Sequence, residues 1–455
     1  MEKRLHIKGL PLLRRLCCLL AAALAAGLLA LPAGAVGFTP TCEVYAEAAY
    51  IVNTDTNLII YEKNSETPLP AASITKLITA ALLLERYGDD MDTPQLTAYS
   101  YLFDYVFGKN ASHADIRQGE VLSPRNLLYA MMLPSANEAA YIVAHDLGGG
   151  QIDNFINQMN AFASRLGCTG TRFYDPCGLD ERNVTTARDA YLMIRYLMEF
   201  DIFREVCGAN DYMMPANTRH DNPYRIDNTD RMVQATFGGN YYRPYAQGGK
   251  TGSLGEWQNF ASWHNQNGET YVCVVLHSPD SCDPYEYPTK RPALYETGQL
   301  MDWVFDSFSI QPALDTEQPI EEVPVRYSAG ADTVMLYPAN SMMTILPKDS
   351  DGSVTQKTFH LPESVPAPIK QGDVIGTVTL SLSGEEIGTV ELLAGRDIER
   401  SEILYVIAKI GEFFGSLYFK VVVILSIIAI AGYLVFFVVH SYKKRGAKKV
   451  RRRPY

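Results

Sequence analysis

A stretch of nineteen residues without a charged side chain, Val421 to Val439, most constrains what this 455-residue chain can fold into. As a helix it is roughly 28 Å long, about the thickness of a bilayer core. Eight basic residues follow it, and a basic cluster beside a spanning helix marks the cytoplasmic side. We therefore predict a juxtamembrane helix over 401–420, a transmembrane helix over 421–440 and a basic cytoplasmic tail over 441–455.

The N-terminus carries a second apolar stretch, Leu16 to Leu31, which follows five basic residues. Ala33-Gly34-Ala35 then offers a small-residue cleavage site. This pattern predicts a secretory signal peptide over 1–35, with an uncleaved N-terminal anchor as the alternative. An export signal at one end and a cytoplasmic tail at the other place the body of the chain outside the membrane. We expect a single-pass protein of the cell membrane with an extracytoplasmic domain.

The exported body is acidic. Without the signal and the basic tail it keeps 27 basic and 50 acidic residues, a net charge of about −23. Such a charge excludes nucleic acid as a partner. The metal-binding spacings Cys-x-x-Cys and His-x-x-x-His do not occur, so neither a metal nor another cofactor is expected. Cys168 and Cys177 are close enough for a short disulfide loop, which an exported location permits.

Residues 36–310 have strand patterns at both ends and helix patterns between them. Strand-like runs joined by a turn, 47–61, open the region, and 257–276 closes it with a hairpin signal at Asn267-Gly268. Helical patterns cover Leu77 to Tyr87, Pro124 to about Leu147 and Ile152 to Leu166. We therefore predict an α+β domain in which helices pack on an antiparallel sheet.

The region beyond residue 310 is different in character. Residues 311–324 contain three prolines and several acidic side chains, which is typical of a linker. Short β-branched runs follow, including Val374 to Leu380 and Ile387 to Leu393. They predict a small all-β, sandwich-like domain over 325–400. A spacer between site and bilayer is its simpler role, and a docking surface is the alternative.

Three short motifs occur in one order along the exported body. They are Ser73-Ile74-Thr75-Lys76, Ser135-Ala136-Asn137 and Lys250-Thr251-Gly252. Together they supply a nucleophilic hydroxyl, a second hydroxyl, two amines and an amide, which is the set that serine acyl transfer needs.

Ser73 and Lys76 are the candidate nucleophile and base. A serine hydroxyl is a poor nucleophile unless a neighbouring base takes its proton. Residues three apart on a helix project from one face. A lysine acts as a base only when desolvation or a second cation destabilises its ammonium form, and Lys250 is the candidate for that cation. At a helix start, Ser73 also has free N–H groups nearby that stabilise an oxyanion.

Each motif alone is weak evidence. Ser73 alone is typical of a helix cap, and the other two motifs alone are typical of a loop and of a strand end. A second Ser-x-x-Lys, Ser441 to Lys444, lies in the predicted cytoplasmic tail, where it has no such use. The three motifs in order within one exported domain favour a shared active site.

The combination resembles the signature of penicillin-binding proteins and serine β-lactamases. The neighbouring residues are more specific and resemble the low-molecular-mass D-alanyl-D-alanine carboxypeptidases, over roughly residues 44–395. These residues are 70–76, 132–140, 176–180 and 186–189, together with 369–393, which is similar to the C-terminal β domain of that family. The resemblance implies a β-lactamase/transpeptidase-like fold for the catalytic domain.

The resemblance also implies roles for the motif residues. Ser73 would attack the carbonyl between two terminal D-alanines of a peptidoglycan stem peptide, with Lys76 as its base and Ser135 as a proton relay. Asn137, Lys250, Thr251, Gly252 and Ser253 would bind the substrate. Among these, Asn137 would hold the acyl side-chain amide, and the N–H groups of Ser73 and Ser253 would form the oxyanion hole. Water would complete hydrolysis, whereas a β-lactam would remain as a covalent inhibitor.

Some residues differ from the pattern of the family. Glu138 stands where Asp is usual, Asp175 where Asn is usual, and Leu254 where Thr is usual. Trp257 and Gln258 replace a small Ala-Gly pair.

Three alternatives remain beside the carboxypeptidase. A β-lactamase is disfavoured because the sequence lacks a Glu-x-x-x-Asn segment. An endopeptidase that cuts cross-links would use the same residues. An inactive, membrane-anchored wall-binding protein is disfavoured by the intact motifs, although the altered strand after Gly252 keeps it open.

Overall fold

The computed structural model describes residues 38–109, 111–286, 290–349, 355–382 and 385–449. The predicted signal peptide, 1–35, and the end of the predicted tail, 450–455, lie outside the described residues. The chain divides into two compact units. The first comprises the chain up to residue 311 with 343–355 and 381–387, and the second comprises 312–342, 356–380 and the chain from 388 onward.

The first unit is built on a five-stranded antiparallel sheet, which confirms the predicted α+β class. In chain order, the strands of this unit up to residue 279 are β1 (Ala48–Asn53), β2 (Ile59–Lys63), β3 (Leu69–Pro70), β4 (Leu96–Thr97), β5 (Val121–Leu122), β6 (Val184–Thr185), β7 (Asp211–Met214), β8 (Tyr224–Asp227), β9 (Ala246–Leu254), β10 (Trp257–Gln266) and β11 (Glu269–Pro279). The short strands β3 to β8 lie outside the five-stranded sheet. The order across the sheet is β2-β1-β11-β10-β9, so β9 is an edge strand.

Turn residues explain both predicted hairpins. Between β10 and β11, Asn267 and Gly268 both have positive φ, 55° and 90°, as a tight two-residue hairpin turn requires. Between β1 and β2, the side-chain oxygen of Asn53 accepts from the N–H groups of Asp55 and Thr56 at 3.1 and 2.9 Å. The amide thereby satisfies backbone donors that the turn leaves unpaired.

Helices cover both faces of the sheet. Along β1, Tyr50 and Val52 face one core and Ala49 and Ile51 face the other, because successive strand residues point to opposite faces. The helices of the first unit are α1 (Lys76–Tyr87), α2 (Pro124–Met132), α3 (Asn137–Leu147), α4 (Ile152–Arg165), α5 (Ala187–Leu197), α6 (Asp201–Gly208) and α7 (Pro292–Ser307). The first core contains residues of α1 to α6, and the second core contains residues of α7.

The predicted helical segment from Pro124 to Leu147 is two helices rather than one. Helix α2 ends at Met132 and α3 begins at Asn137. Between them Ser135 has a φ of +64°, a left-handed conformation that a continuing helix does not contain. The break places the second motif in a buried bend of the backbone at the start of a new helix.

All six cysteines among the described residues are free thiols, so Cys168 and Cys177 are not joined. Burial raises the pKa of Cys168, Cys177 and Cys282 to about 12 in each case. It also raises the pKa of Cys207 and Cys273.

The second unit is all-β up to residue 400, as predicted. In chain order, the strands beyond residue 307 are β12 (Phe308–Pro312), β13 (Glu321–Arg326), β14 (Thr333–Pro338), β15 (Met343–Pro347), β16 (Gln356–His360), β17 (Val365–Pro366), β18 (Val374–Leu382) and β19 (Glu385–Ala394). Six of them form one sheet in the order β16-β18-β19-β14-β13-β17. Strands therefore occupy both ends of the segment 311–324, for which the sequence predicted a linker.

The C-terminal part of the second unit is helical. Helix α8 (Glu402–Gly415) begins at Ser401, whose hydroxyl accepts from the N–H of Leu404, and helix α9 (Leu417–Lys449) follows after one residue. A 27-residue stretch of α9, Leu417–Lys443, is long and apolar enough to cross a membrane, and its most apolar part is not buried against the described residues. The observed division into α8 and α9 shortens the predicted juxtamembrane helix at its C-terminal end.

Candidate active site

The first motif lies where a sharp bend leads into α1. Ser73 is in a 3₁₀ turn, Ala72–Thr75, and Lys76 is the first residue of α1. Ala72 has a φ of +45°, a conformation that is sparsely populated for a residue with a side chain. The side-chain N–H₂ of Asn259 holds the bend by donating to the carbonyls of Pro70 and Ala71, at 3.0 and 3.1 Å. Ser73 is thereby fixed relative to strand β10.

The amine of Lys76 is fully buried and contacts three oxygen atoms. Its Nζ lies 2.8 Å from Asn137 Oδ1, 2.8 Å from the carbonyl oxygen of Cys177 and 2.9 Å from Ser73 Oγ. The first two atoms only accept, so Nζ donates to both. A neutral amine has two N–H bonds and one lone pair, which leaves the lone pair directed at the Ser73 hydroxyl. This geometry fits a general base and its nucleophile.

The surroundings of Lys76 destabilise its ammonium form. Burial lowers the pKa of Lys76, because water no longer solvates the ammonium form. The nearby Cys177, Asp175 and Glu138 oppose this effect without reversing its direction. The neutral amine that the hydrogen bonds accommodate is therefore favoured by desolvation.

Lys250 differs from what the sequence suggested. We predicted that desolvation or the ammonium of Lys250 would help to keep Lys76 neutral, and burial is what lowers the pKa of Lys76. Burial lowers the pKa of Lys250 well below its usual range, and repulsion from Lys76 lowers it further. An arriving carboxylate favours the protonated form of Lys250.

Ser135 and Lys250 form the second hydroxyl–amine pair of the site. Lys250 Nζ lies 2.9 Å from Ser135 Oγ and donates to the carbonyl oxygen of Thr251 at 2.6 Å. The bend between α2 and α3 brings Ser135 to β9, which lies 115 residues later in the sequence. Two serines thus each contact a buried lysine amine.

The amide of Asn137 is already engaged on both sides. Its oxygen accepts from Lys76 Nζ, and its nitrogen donates to the carbonyl oxygen of Ser112 at 3.0 Å. Asn137 therefore positions the amine of Lys76 as well as lying at the site. Its expected contact with the acyl side chain remains a prediction.

Strand β9 provides the third motif. Thr251 Oγ1 lies 2.7 Å from Thr229 Oγ1. A Cβ atom on Gly252 would lie 3.3 Å from the backbone nitrogen of Ser73, so a glycine here leaves this N–H accessible. Because β9 is an edge strand of the sheet, its outer edge faces the site rather than another strand. Ser73 and Ser253 both line the same space.

That space is a cavity of about 230 Å³. Of the predicted residues, Ser73, Ser135, Thr251 and Ser253 line it, while Lys76, Asn137 and Lys250 lie behind its walls. Its remaining lining residues are Ser112, Thr229, Gln258 and Arg291. Sequence reasoning did not assign these four to the site, and Arg291 is the cation among them.

The loop 175–180 contacts Lys76 and is held in place by hydrogen bonds of its own. Asp175 Oδ1 accepts from the N–H groups of Cys177 and Gly178 at 2.8 and 2.6 Å, and its Oδ2 accepts from Asp180 N at 2.6 Å. The amide of Asn183 ties this loop to Thr75 Oγ1 at 3.1 Å. The loop thus presents the carbonyl of Cys177 to Lys76. Asp175, one of the unusual residues, is compatible with this role because a carboxylate accepts several N–H bonds.

Gly178 packs directly under the bend that carries Ser73. Its φ is +92°, and a Cβ atom would lie 1.8 Å from the carbonyl oxygen of Ala72. We expect Gly178→Ala to destabilise the first unit by about 3 kcal/mol or more, because backbone must move. Urea unfolding followed by tryptophan fluorescence measures this, since all three tryptophans lie in the first unit.

Gly167→Ala is the matched control for this substitution. Gly167 has a similar φ of +84°, but a Cβ atom there meets no described atom within 4 Å. It should cost about 1 to 2 kcal/mol, from the backbone conformation alone. Equal losses for the two variants would contradict a steric role for Gly178.

Glu138, Trp257 and Gln258 also differ from the pattern of the family, and the structure shows what each of them contacts. Glu138 is buried, and its Oε1 accepts from Ala114 N at 2.7 Å, so the longer acid still reaches a backbone donor. Trp257 is 42% exposed and stacks on His277 with ring centroids 5.7 Å apart. Gln258 lines the cavity. Of the unusual residues after Gly252, Gln258 therefore forms part of the cavity wall, and the amine–hydroxyl contacts do not involve it.

Two family profiles match the chain: Peptidase_S11, D-alanyl-D-alanine carboxypeptidase, at residues 36–279, and Penicillin-binding protein 5, C-terminal domain, at residues 308–400.

Similar proteins cover most of the chain. D-alanyl-D-alanine carboxypeptidase DacF of Bacillus subtilis is 23% identical over 357 residues, which are 78% of this chain and 86% of that protein. The D-alanyl-D-alanine carboxypeptidase of Streptomyces sp. strain K15 is 30% identical over 266 residues, 54% of this chain and 88% of that protein. The crystal structure of penicillin binding protein 5 from Haemophilus influenzae has the same fold, with a TM-score of 0.56 and 21% identity over 80% of this chain and 100% of that one. The Peptidase_S11 profile matches more than half of the residues of this chain, so the chain belongs to the Peptidase S11 family of D-alanyl-D-alanine carboxypeptidases.

Proposed function

We propose that this carboxypeptidase is a serine-type enzyme that removes the terminal D-alanine from peptidoglycan stem peptides through an acyl-enzyme on Ser73. The observation that carries the proposal is the set of contacts around Lys76. Two carbonyl acceptors take both N–H bonds of its neutral amine, and its lone pair is left for the Ser73 hydroxyl. A buried serine–lysine pair with this geometry is suited to nucleophilic catalysis.

Acylation uses the two hydroxyl–amine pairs in turn. Lys76 takes the proton of Ser73 while Oγ attacks the carbonyl carbon, and the N–H groups of Ser73 and Ser253 stabilise the oxyanion. The C–N bond then breaks, and Ser135, in contact with Lys250, relays to the leaving amine the proton that Lys76 took, so that Lys76 is neutral again and Ser135 keeps its hydroxyl. Water later hydrolyses the ester and restores the Ser73 hydroxyl. A β-lactam acylates the same oxygen and stays bound.

We assign binding of the terminal carboxylate to the part of the cavity that Thr251, Thr229 and Arg291 line. Thr251 and Thr229 supply hydroxyl groups there, and Arg291 supplies a permanent positive charge. Lys250 lies behind Thr251 and gains a proton when a carboxylate approaches. A charged acceptor bound by such groups contributes about 1.5 to 3 kcal/mol.

This recognition gives a direct test of the proposed reaction. The protein should release D-alanine from a peptide ending in D-Ala-D-Ala about 10- to 100-fold faster, in kcat/KM, than it releases D-alaninamide from the same peptide with an amidated end. Quantifying the released amino acid by chromatography measures both rates. Thr251→Val should reduce the preference for the carboxylate. Equal rates for the two peptides would exclude carboxypeptidase recognition at this cavity.

The location of the enzyme follows from its ends. We propose that α9 anchors the chain in the cell membrane as a single span, with the catalytic unit on the outer side and the basic tail in the cytoplasm. The apolar stretch Leu417–Lys443 supports an anchor, and the signal-like N-terminus supports export. The β domain then serves as a spacer.

A further inference from the structure

Four exposed aromatic residues lie within nine positions of the first unit, 99–107. Tyr99, Tyr101 and Tyr105 are 45, 49 and 42% exposed, and Phe107 is 86% exposed. Aromatic rings contribute large apolar areas, and a soluble protein seldom leaves several neighbouring rings in water unless the patch binds a partner. We call these four residues the aromatic surface.

Helix α3 supports the aromatic surface. Tyr105 stacks on the buried Tyr141, with ring centroids 4.6 Å apart and planes within 11° of parallel. Tyr99 and Tyr101 both pack against His145, and the hydroxyl of Tyr101 is hydrogen-bonded to His145 Nε2 at 2.6 Å. Because Tyr141 and His145 are four residues apart, they lie on one face of the helix. The three tyrosine rings are therefore held in place by a buried helix.

The aromatic surface is continuous with the catalytic cavity. Ser112 lines the cavity, and its carbonyl oxygen accepts from the N–H and from the side-chain nitrogen of Asn137, at 2.9 and 3.0 Å. Asn137 begins α3, about one turn before Tyr141 and two turns before His145. From Tyr99 to Ser112 the chain therefore passes along α3 in the opposite direction. The aromatic surface reaches about 12 Å along the helix from the cavity.

The proposed function determines which part of a substrate lies on this side of the cavity. Thr251, Thr229 and Arg291 are assigned to the carboxylate of the leaving D-alanine. Asn137 is expected to contact the acyl part of the substrate, which stays on Ser73. In peptidoglycan, the acyl part of a stem peptide continues to the sugar that carries the peptide. The sugar chain is therefore expected beyond Asn137, on the side of the aromatic surface.

Exposed aromatic rings are suited to a sugar polymer. A pyranose ring carries C–H groups whose weak positive charge is attracted to the negative face of an aromatic ring. Tyrosine hydroxyls can also exchange hydrogen bonds with sugar hydroxyls. The charged residues of segment 99–109 are Asp104 and Lys109, one of each sign, which suits an uncharged ligand. A lipid surface would need a cluster of basic side chains, whereas this segment has one lysine.

We propose that the aromatic surface binds the glycan strand of peptidoglycan by stacking on its sugar rings. The inference rests on the proposed function, because the stem peptide in the cavity determines where the strand lies. A peptide attached to a bound strand has a higher effective concentration at the cavity than a free peptide has. The aromatic surface thereby favours the wall polymer over soluble peptides as a substrate.

Glycan strands without stem peptides give a direct test of binding. The full-length protein in detergent would be acylated with penicillin, which blocks the cavity, and passed over such strands immobilised on beads. The wild type should be retained, and soluble oligomers of β-linked N-acetylglucosamine should release it. The double variant Tyr101→Ser, Phe107→Ser should raise the Kd about tenfold or more, because two stacking rings are lost.

Tyr101→Phe separates stacking from hydrogen bonding. It removes the hydroxyl that contacts His145 and keeps the ring, so its Kd should stay within about twofold of the wild type. A loss as large as that of Tyr101→Ser would contradict stacking. Tyr45→Ser is the matched control, since Tyr45 is 46% exposed and its hydroxyl donates to Glu43, outside the aromatic surface. This control should bind the strands like the wild type.

Activity should depend on whether the peptide carries sugar. We compare kcat/KM for pentapeptides attached to glycan strands with kcat/KM for the free pentapeptide. The ratio of the two should fall about tenfold in the double variant and keep its wild-type value in Tyr45→Ser. Labelling of Ser73 by a fluorescent penicillin shows for each variant that the catalytic unit is folded.

The outcomes separate the two proposals. Equal retention of the wild type and the double variant, with normal penicillin labelling of both, would overturn the glycan assignment and leave the proposed function intact. Self-association of the wild type that the double variant abolishes, without binding to strands, would also overturn it and make the surface a contact between two copies. Strand binding by a wild type that neither reacts with penicillin nor releases D-alanine would overturn the proposed function instead.

Discussion

Replacement of Ser73 by alanine is expected to abolish both covalent labelling by a fluorescent penicillin and release of D-alanine, with a loss of at least about 10³-fold. The substitution removes the oxygen that forms the ester and leaves the fold intact, because Ser73 is held through its backbone turn. Labelling is read by gel fluorescence after denaturation, which detects only covalent adducts.

Ser441→Ala is a matched control for this loss. Ser441 belongs to the second Ser-x-x-Lys of the chain, at the end of α9, and lies outside the catalytic unit. Its substitution should leave labelling and D-alanine release unchanged. Labelling that persists in the Ser73→Ala protein would place the nucleophile at another side chain.

Lys76→Arg is expected to reduce acylation about 10³-fold or more, although it keeps a basic side chain. A guanidinium does not lose its proton in a protein, so it cannot accept the proton of Ser73. It is also too large for an amine site in which Asn137 and the Cys177 carbonyl both lie 2.8 Å from Nζ. The rate constant of penicillin labelling measures the effect.

The pH dependence of acylation in the wild type tests the same assignment. The active form is the neutral amine, so the rate should rise with pH through the pKa of Lys76 and then level off. Burial lowers this pKa, so the midpoint of the rise should lie below about 10.4, the usual pKa of a lysine. A rise at or above that value would contradict a buried base.

Lys63→Arg is the control for a lysine-to-arginine change. Lys63 Nζ donates to the carbonyl oxygen of Val44 at 2.8 Å, a contact that arginine can replace. This variant should label at the rate of the wild type and show the same pH profile. Fast acylation by Lys76→Arg would remove Lys76 as the base.

Local sequence patterns predicted the elements that carry the site. Leucine and alanine content predicted α1 to within one residue of its start, and Asn267-Gly268 predicted the β10–β11 hairpin, because both signals depend on near neighbours. The Ser-x-x-Lys spacing also predicted the contact between Ser73 and Lys76, whereas the contact between Ser135 and Lys250 was not predicted. The first contact follows from helix geometry, because Ser73 and Lys76 are three residues apart.

Local sequence patterns could not predict other parts of the site. The helical pattern from Pro124 to Leu147 continues across the bend at Ser135, because apolar residues there serve the core rather than a helix. The third partner of Lys76 is the carbonyl of Cys177, 101 residues away, and every residue type has a carbonyl. Arg291 stands outside any motif and reaches the cavity through the placement of α7. Tertiary folding alone brings these groups together.

The buried thiols of the first unit have a practical consequence. Alkylation requires the thiolate, and five cysteines are withheld from it by burial and by raised pKa values. Each cysteine becomes reactive when the structure around it opens. The rates at which the five thiols are alkylated therefore report local and global opening at five buried positions, and no probe has to be introduced. Cys177, whose carbonyl oxygen accepts a hydrogen bond from Lys76, reports on the candidate site itself.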